Sequence, residues 1–248
     1  MPIQIKPVIW EVPENIKAFS TTRIGGFSKG EYKDSNLSLD VGDEQTHVKK
    51  NRRDIKKSLN LTMEPCWMKQ IHSATIKKVK QSVSGLVCDG SYTDTVGLPC
   101  AVLSADCLPI LVCNKDGTKV GVIHAGWRGL DNGIITKFIK KFSKDPSEII
   151  CWIGPSISQN NYLVREDVYK KLSTISPTIF NRIDEEHWGL DLKKAAKVFL
   201  KDAGVEKIFT DEMCTYQSAN LYYSYRGETN TGRIASLIWI EEAITPIG

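Results

Sequence analysis

Apolar positions fall into two patterns along this chain. Between Leu98 and Ile153 they come mostly in short, nearly unbroken runs. Elsewhere they recur at helical intervals among basic and polar residues. The runs Leu98 to Leu103, Pro109 to Cys113 and Lys119 to His124 predict three short strands. Lys115-Asp116-Gly117 supplies a hairpin turn between the second and third. A strand from Glu148 to Ile153 stops at Gly154-Pro155, and others are predicted around Cys66-Trp67-Met68, Ile208-Phe209 and Ile234 to Ile240. A further short strand ends near Thr21, before the turn that carries Gly25-Gly26.

The spacing of Val48, Ile55 and Leu59 predicts an exposed helix from Gln45 to Leu59. A glycine-rich bend at Gly126 leads into helical spacing of Ile134, Ile135, Phe138, Ile139 and Phe142, one segment from Gly126 to Phe142. Helices are also predicted over Arg165 to Leu172 and Leu190 to Ala203, the second closed by Gly204. Strands and helices mix without strict βαβ alternation. The expected class is therefore α/β or α+β, with mixed sheets covered by helices.

Composition narrows this further. The chain has 248 residues and no linker-like tract, so a single domain over 1–248 is expected. Apolar residues are 41% and charged residues 25%, the balance of a soluble protein with a real core. The net charge of +4 is spread over scattered lysine pairs, which argues against nucleic acid as a partner. No apolar run reaches the ~20 residues of a membrane span, so no membrane partner is expected. The segment Met1 to Pro7 has no apolar signal core, which points to the cytoplasm. Seven cysteines without a C-x-x-C pair argue against a disulfide framework and against a four-cysteine zinc site. With no coiled coil or long apolar stripe, a monomer is expected.

Two segments are unusual for a structural core. Ser104-Ala105-Asp106-Cys107-Leu108-Pro109 puts an acid and a thiol between two apolar strands. His124-Ala125-Gly126-Trp127-Arg128-Gly129 puts an imidazole at a strand end, before a bend of small residues. One cysteine and two histidines make a three-ligand site with an open fourth position, the pattern of catalytic zinc. Cys107 and His124 are two candidates. By position His72 is a better third than His47, in the basic helix, or His187, in an acidic loop. A Cys107/His124 nucleophile–base pair without metal is the other chemical reading.

These two segments resemble the signature motifs of the YfiH family, the laccase-domain proteins once called multicopper polyphenol oxidases. The likeness extends through Phe19-Ser20-Thr21-Thr22-Arg23 with Gly25-Gly26, Ser35-Asn36-Leu37, Asn51-Arg52, Gln70-Ile71-His72, Ile153-Gly154-Pro155, Tyr162-Leu163-Val164, Tyr223-Ser224-Tyr225-Arg226 and Thr231-Gly232-Arg233. One segment departs from it, reading Cys88-Asp89-Gly90 where Ala-Asp-Ala is expected. The resemblance implies a layered α/β/β/α sandwich, shared with the catalytic domain of a deamidating, cytotoxic necrotizing toxin. It implies metal ligation by His72, Cys107 and His124. It also implies a zinc-dependent purine nucleoside phosphorylase, with adenosine deaminase and S-methyl-5′-thioadenosine phosphorylase activities, acting on nucleoside and phosphate. One branch of the family is a peptidoglycan editing factor (PgeF), which removes L-serine from a UDP-muramyl precursor.

Asp106 and Asp89 are candidates for moving a proton at such a site. For Asp106 the competing role is to cap a loop or to hold His72 or His124. Arg23 is the first candidate to hold phosphate, with Arg128 and Arg233 behind it and Asn36 as a further binding residue. Arginines beside glycine turns more often bond backbone carbonyls, so at most two of the five in these motifs are expected to touch phosphate. Trp127, Phe27 and Tyr223 are candidate walls for a purine. A multicopper oxidase needs on the order of ten histidines, and this chain has four. A single copper in the three-ligand site is chemically possible and expected to be adventitious. A non-catalytic binding scaffold is the remaining alternative.

Overall fold

The computed structural model describes residues 1–242. The strands are β1 (Ile5–Pro7), β2 (Ile16–Thr21), β3 (Cys66–Lys69), β4 (Ile76–Lys78), β5 (Ser84–Val87), β6 (Gly90–Thr93), β7 (Cys100–Ser104) and β8 (Leu108–Asn114). They continue with β9 (Val120–Ala125), β10 (Ile149–Ile153), β11 (Leu163–Val164), β12 (Phe180–Arg182), β13 (Trp188–Leu190), β14 (Lys207–Thr210) and β15 (Ile234–Ile240). The helices are α1 (Gln45–Ser58), α2 (Trp127–Asp131), α3 (Ile134–Phe142), α4 (Glu166–Leu172) and α5 (Leu192–Asp202).

Two six-stranded mixed sheets form the frame. Their orders are β1-β2-β15-β7-β3-β5 and β14-β10-β8-β9-β6-β4, and β11, β13 and β12 make a small third sheet. The period-2 alternation of a strand explains the layering. In β15, Ile238 and Ile240 face the second sheet, while Leu237 and Trp239 face outward toward Ile55 of α1. In β8, Leu111 and Cys113 face the first sheet, while Ile110 and Val112 meet Phe138 and Ile139 of α3. Both faces of the central strands are buried, which is why they read as unbroken apolar runs. The result is the α/β/β/α sandwich, with α1 outside one sheet and α2, α3 and α5 outside the other.

Three connections carry the chain from the first sheet to the second: β3 to β4, β5 to β6, and β7 to β8. The register puts all three at one end of the sandwich. β3, β5 and β7 run parallel, and the starts of β4, β6 and β8 lie beside the end of β9. His72, Asp89 and Cys107 sit one on each crossing.

Some expectations need correction. The predicted segment from Gly126 to Phe142 is two helices, broken at Asn132-Gly133, where Gly133 takes a left-handed φ of 70°. Leu190 closes β13, and α5 starts only at Leu192, where the Asp191 carboxylate caps the Lys194 amide. The expected unit 1–248 ends with residues 243–248, which lie outside the described residues. Among the described residues no helix is long and apolar enough to cross a membrane.

Candidate metal centre

The crossings and the end of β9 bring His72, Cys107 and His124 together. One donor atom of each lies within 4.8 Å of the others. The Cys107 Sγ is 3.8 Å from His72 Nε2, and the two imidazoles meet edge to face with centroids 4.8 Å apart. His124 is buried, Cys107 half-buried and His72 exposed, so the cluster opens outward on one side.

Asp89 organises it. The carboxylate accepts a 2.9 Å hydrogen bond from His124 Nδ1, which leaves Nε2 as that ring's free donor atom. It also accepts from the amides of Ile71, His72 and Ser73 and from the Ser73 hydroxyl. These bonds fix the backbone at His72, whose left-handed φ of 59° is rare for a side-chain-bearing residue. Burial opposes charge on Asp89, but the bonds from His124 and Ser73 outweigh it and hold the carboxyl below its ordinary range. Burial likewise opposes ionisation of Cys107. The His124 imidazolium and the hydrogen bonds from both histidines win, bringing the thiol down to about 6. Burial pushes His124 the other way, but the Cys107 thiolate and Asp89 raise it to about 9.

Gly126 leaves room for this arrangement. A Cβ there would lie 2.7 Å from Cys107 Sγ and 3.2 Å from His72 Cδ2. A side chain at that position would push into the cluster.

A cavity of about 450 Å³ opens beside the cluster, walled by Trp127, Arg128, Tyr162, Tyr225, Arg226 and Arg233. Each arginine lies over an aromatic ring: Arg128 over Trp127 at 4.5 Å, Arg226 over Tyr162 at 5.0 Å, and Arg233 over Tyr225 at 5.8 Å. Arg226 and Arg233 also bond the carbonyls of Leu163, Thr231 and Gly232. Burial lowers the Arg233 guanidinium below its usual value.

The residues anticipated from sequence divide here. His72, Cys107, His124, Asp106, Arg128, Arg233 and Trp127 line the cavity. Asp89 lies beneath the cluster, fully buried and fully bonded. Asp106 accepts from Thr215, Ser224 and the Arg226 amide, which anchors the loop before β15. Arg23 lies outside the cavity, bonded to the Ala219 carbonyl and stacked 4.6 Å over Tyr223. Asn36 is buried in a network with Ser38, Asp43 and the Arg233 amide, also away from the cavity. Phe27 packs by Lys50, and the buried Tyr223 hydroxyl donates to the carbonyls of Tyr32 and Lys33. Tyr162 and Tyr225, not anticipated as walls, take the place of Phe27 and Tyr223. A strand-like reading would put Tyr223 and Tyr225 on one face, but the segment is irregular, and Tyr223 is buried while Tyr225 is exposed.

A family model described as multi-copper polyphenol oxidoreductase laccase matches residues 17–241. The chain belongs to this family. The YfiH family includes the Escherichia coli protein named purine nucleoside phosphorylase YfiH, 36% identical over 235 residues, covering 93% of this chain and 96% of that one. A Haemophilus influenzae protein of the same purine nucleoside phosphorylase name is 35% identical, covering 94% and 97%. Among solved structures, a Neisseria meningitidis protein superposes with a TM-score of 0.90 at 34% identity, covering 96% of this chain and all of that one. YlmD from Geobacillus stearothermophilus gives 0.86 at 33% identity, covering 92% and 93%.

Proposed function

We propose that this chain is a zinc-dependent purine nucleoside phosphorylase whose site also deaminates adenosine and cleaves S-methyl-5′-thioadenosine. The observation that carries this reading is the three-donor cluster opening into a cavity ringed by arginines and aromatics. The donor set fits a metal: a soft thiol, two imidazoles, one ring oriented by a carboxylate, and no fourth protein ligand among the described residues. A zinc ion held by His72, Cys107 and His124 would supply a Lewis acid and lower the pKa of water at the open position.

The chain's own residues do the rest. Arg128 and Arg233 hold a phosphate so that an oxygen attacks C1′ of the ribose while the bond to the base nitrogen breaks. Tyr162, Trp127 and Tyr225 offer faces on which the purine stacks. Asp89 keeps His124 oriented. Purified protein is incubated with inosine, adenosine and methylthioadenosine, with and without phosphate, while free base and ammonia are measured. Phosphate-dependent release of base that is lost in Cys107→Ala supports the reading. Undiminished turnover in that variant overturns it.

A second reading has its own observation. Asp89, His124 and Cys107 stand in the order of an acid, a base and a nucleophile, with the thiol held low. That arrangement suits hydrolysis of an amide, such as removal of L-serine from a UDP-muramyl precursor. Release of serine that persists after chelation would favour this route over the metal-dependent one.

A further inference from the structure

The described residues hold another concave site, apart from the metal centre. A cavity of about 550 Å³ lies between α1 and the edge of the first sheet, lined by Lys49, Arg52, Arg53, Trp67 and Ser84 among others. Lys49, Arg52 and Arg53 stand at i, i+3 and i+4 on α1, so they share one face.

Arg52 is held in place. Its Nε donates to the Leu37 carbonyl at 2.9 Å, its guanidinium lies 4.2 Å over the Trp67 ring, and its Nη1 is 3.5 Å from Ser84 Oγ. Among the described residues, Nη2 has no protein acceptor. Burial lowers Arg52 to about 10, and the pull of Asp40 and Glu64 does not restore it. Glu64, on the cavity rim, pairs instead with Lys56 at 2.8 Å. Neither Lys49, Arg52 nor Arg53 makes an ion pair among the described residues. Three cations therefore gather at a concavity, one of them partly desolvated and fixed, and the one carboxylate of the lining, Glu64, is paired with Lys56 instead.

We propose that this cleft binds a phosphate-bearing anion, with the fixed Arg52 fork receiving two oxygens and Lys49 and Arg53 flanking them. An immobilised guanidinium loses little freedom on binding, which separates a site from a merely charged surface. The cleft backs onto the metal cavity through alternating residues. Leu39 and Trp67 face the cleft, while Ser38, Asp40 and Met68 face the cavity. The two share no lining residue, so they can be titrated separately.

The competing view is a diffusely basic helix, and α1 supplies its own control. Lys50 and Lys57 are exposed on the same helix but do not line the cleft. The full chain is titrated calorimetrically with inorganic pyrophosphate and with adenosine monophosphate at fixed salt. K49E/R53E and K50E/K57E change the net charge equally and spare the metal cavity. The proposal expects saturable binding of at least one probe, weakened about tenfold or more by K49E/R53E and less than about threefold by K50E/K57E. The probe that binds more tightly shows whether bare phosphate or a nucleotide is the source. Equal weakening by the two variants, no change in either, or no saturable binding of either probe overturns it.

Discussion

Asp89 has no room for a second duty. Five hydrogen bonds arrive at its two oxygens, about one more than a carboxylate's ~four acceptor positions. It serves as the residue that fixes both histidines, one through its ring and the other through its backbone. Asp89→Asn keeps the shape but replaces one acceptor oxygen with an NH2 facing donors. We expect metal affinity to fall about ten- to a hundredfold, read by competition against a chromophoric chelator, with the variant still folded. Sequence position alone pointed to His72, Cys107 and His124, because each follows or precedes a strand beside small residues. It left Asp89 and Asp106 unranked, because a carboxylate's role depends on which donors fold around it. Arg23 lies outside the cavity for a related reason. A glycine turn offers an arginine free carbonyls as readily as a ligand, and Ala219 takes this one.

The elements that were legible are those buried on both faces. β8, β9, β10 and β15 read as apolar runs, and the structure gives each within about two residues. Short strands with exposed or polar residues, such as β4, β5 and β12, carry no such signal. Their existence depends on neighbours that pair with them. The helix break at Gly133 was hidden because the apolar spacing continues across it. α3 owes its place to that spacing: Phe138 is fully buried, stacked on Phe142 and edge-on to Tyr92. Phe138→Ala should cost about 3–5 kcal/mol of stability, measured by urea denaturation. This residue lies on the outer face of the second sheet, so the metal content of the variant at low temperature should match that of the unaltered chain.

At the scale of the molecule, the site is a product of topology. No single stretch of sequence contains it. Its parts lie on three crossings and a strand end, brought together by the register of two sheets. A ligand that binds only the folded arrangement stabilises it by mass action, by about 2.7 kcal/mol when present at a hundred times its Kd. Removing metal with a chelator should therefore lower Tm, and readdition of zinc should restore it. Differential scanning calorimetry on the intact chain and on Cys107→Ala tests this, because the shift should vanish in the variant. Equal shifts in both would place the metal elsewhere.

The three crossings have one more consequence. The passages from the first sheet to the second through His72, Asp89 and Cys107 share one end, and the returns from β4 to β5 and from β6 to β7 share the other. The sandwich is thus stitched along both edges, and the metal cluster lies where three stitches converge. An ion there would knot those three stitches together, so that end of the two leaves would part only after its ligands let go.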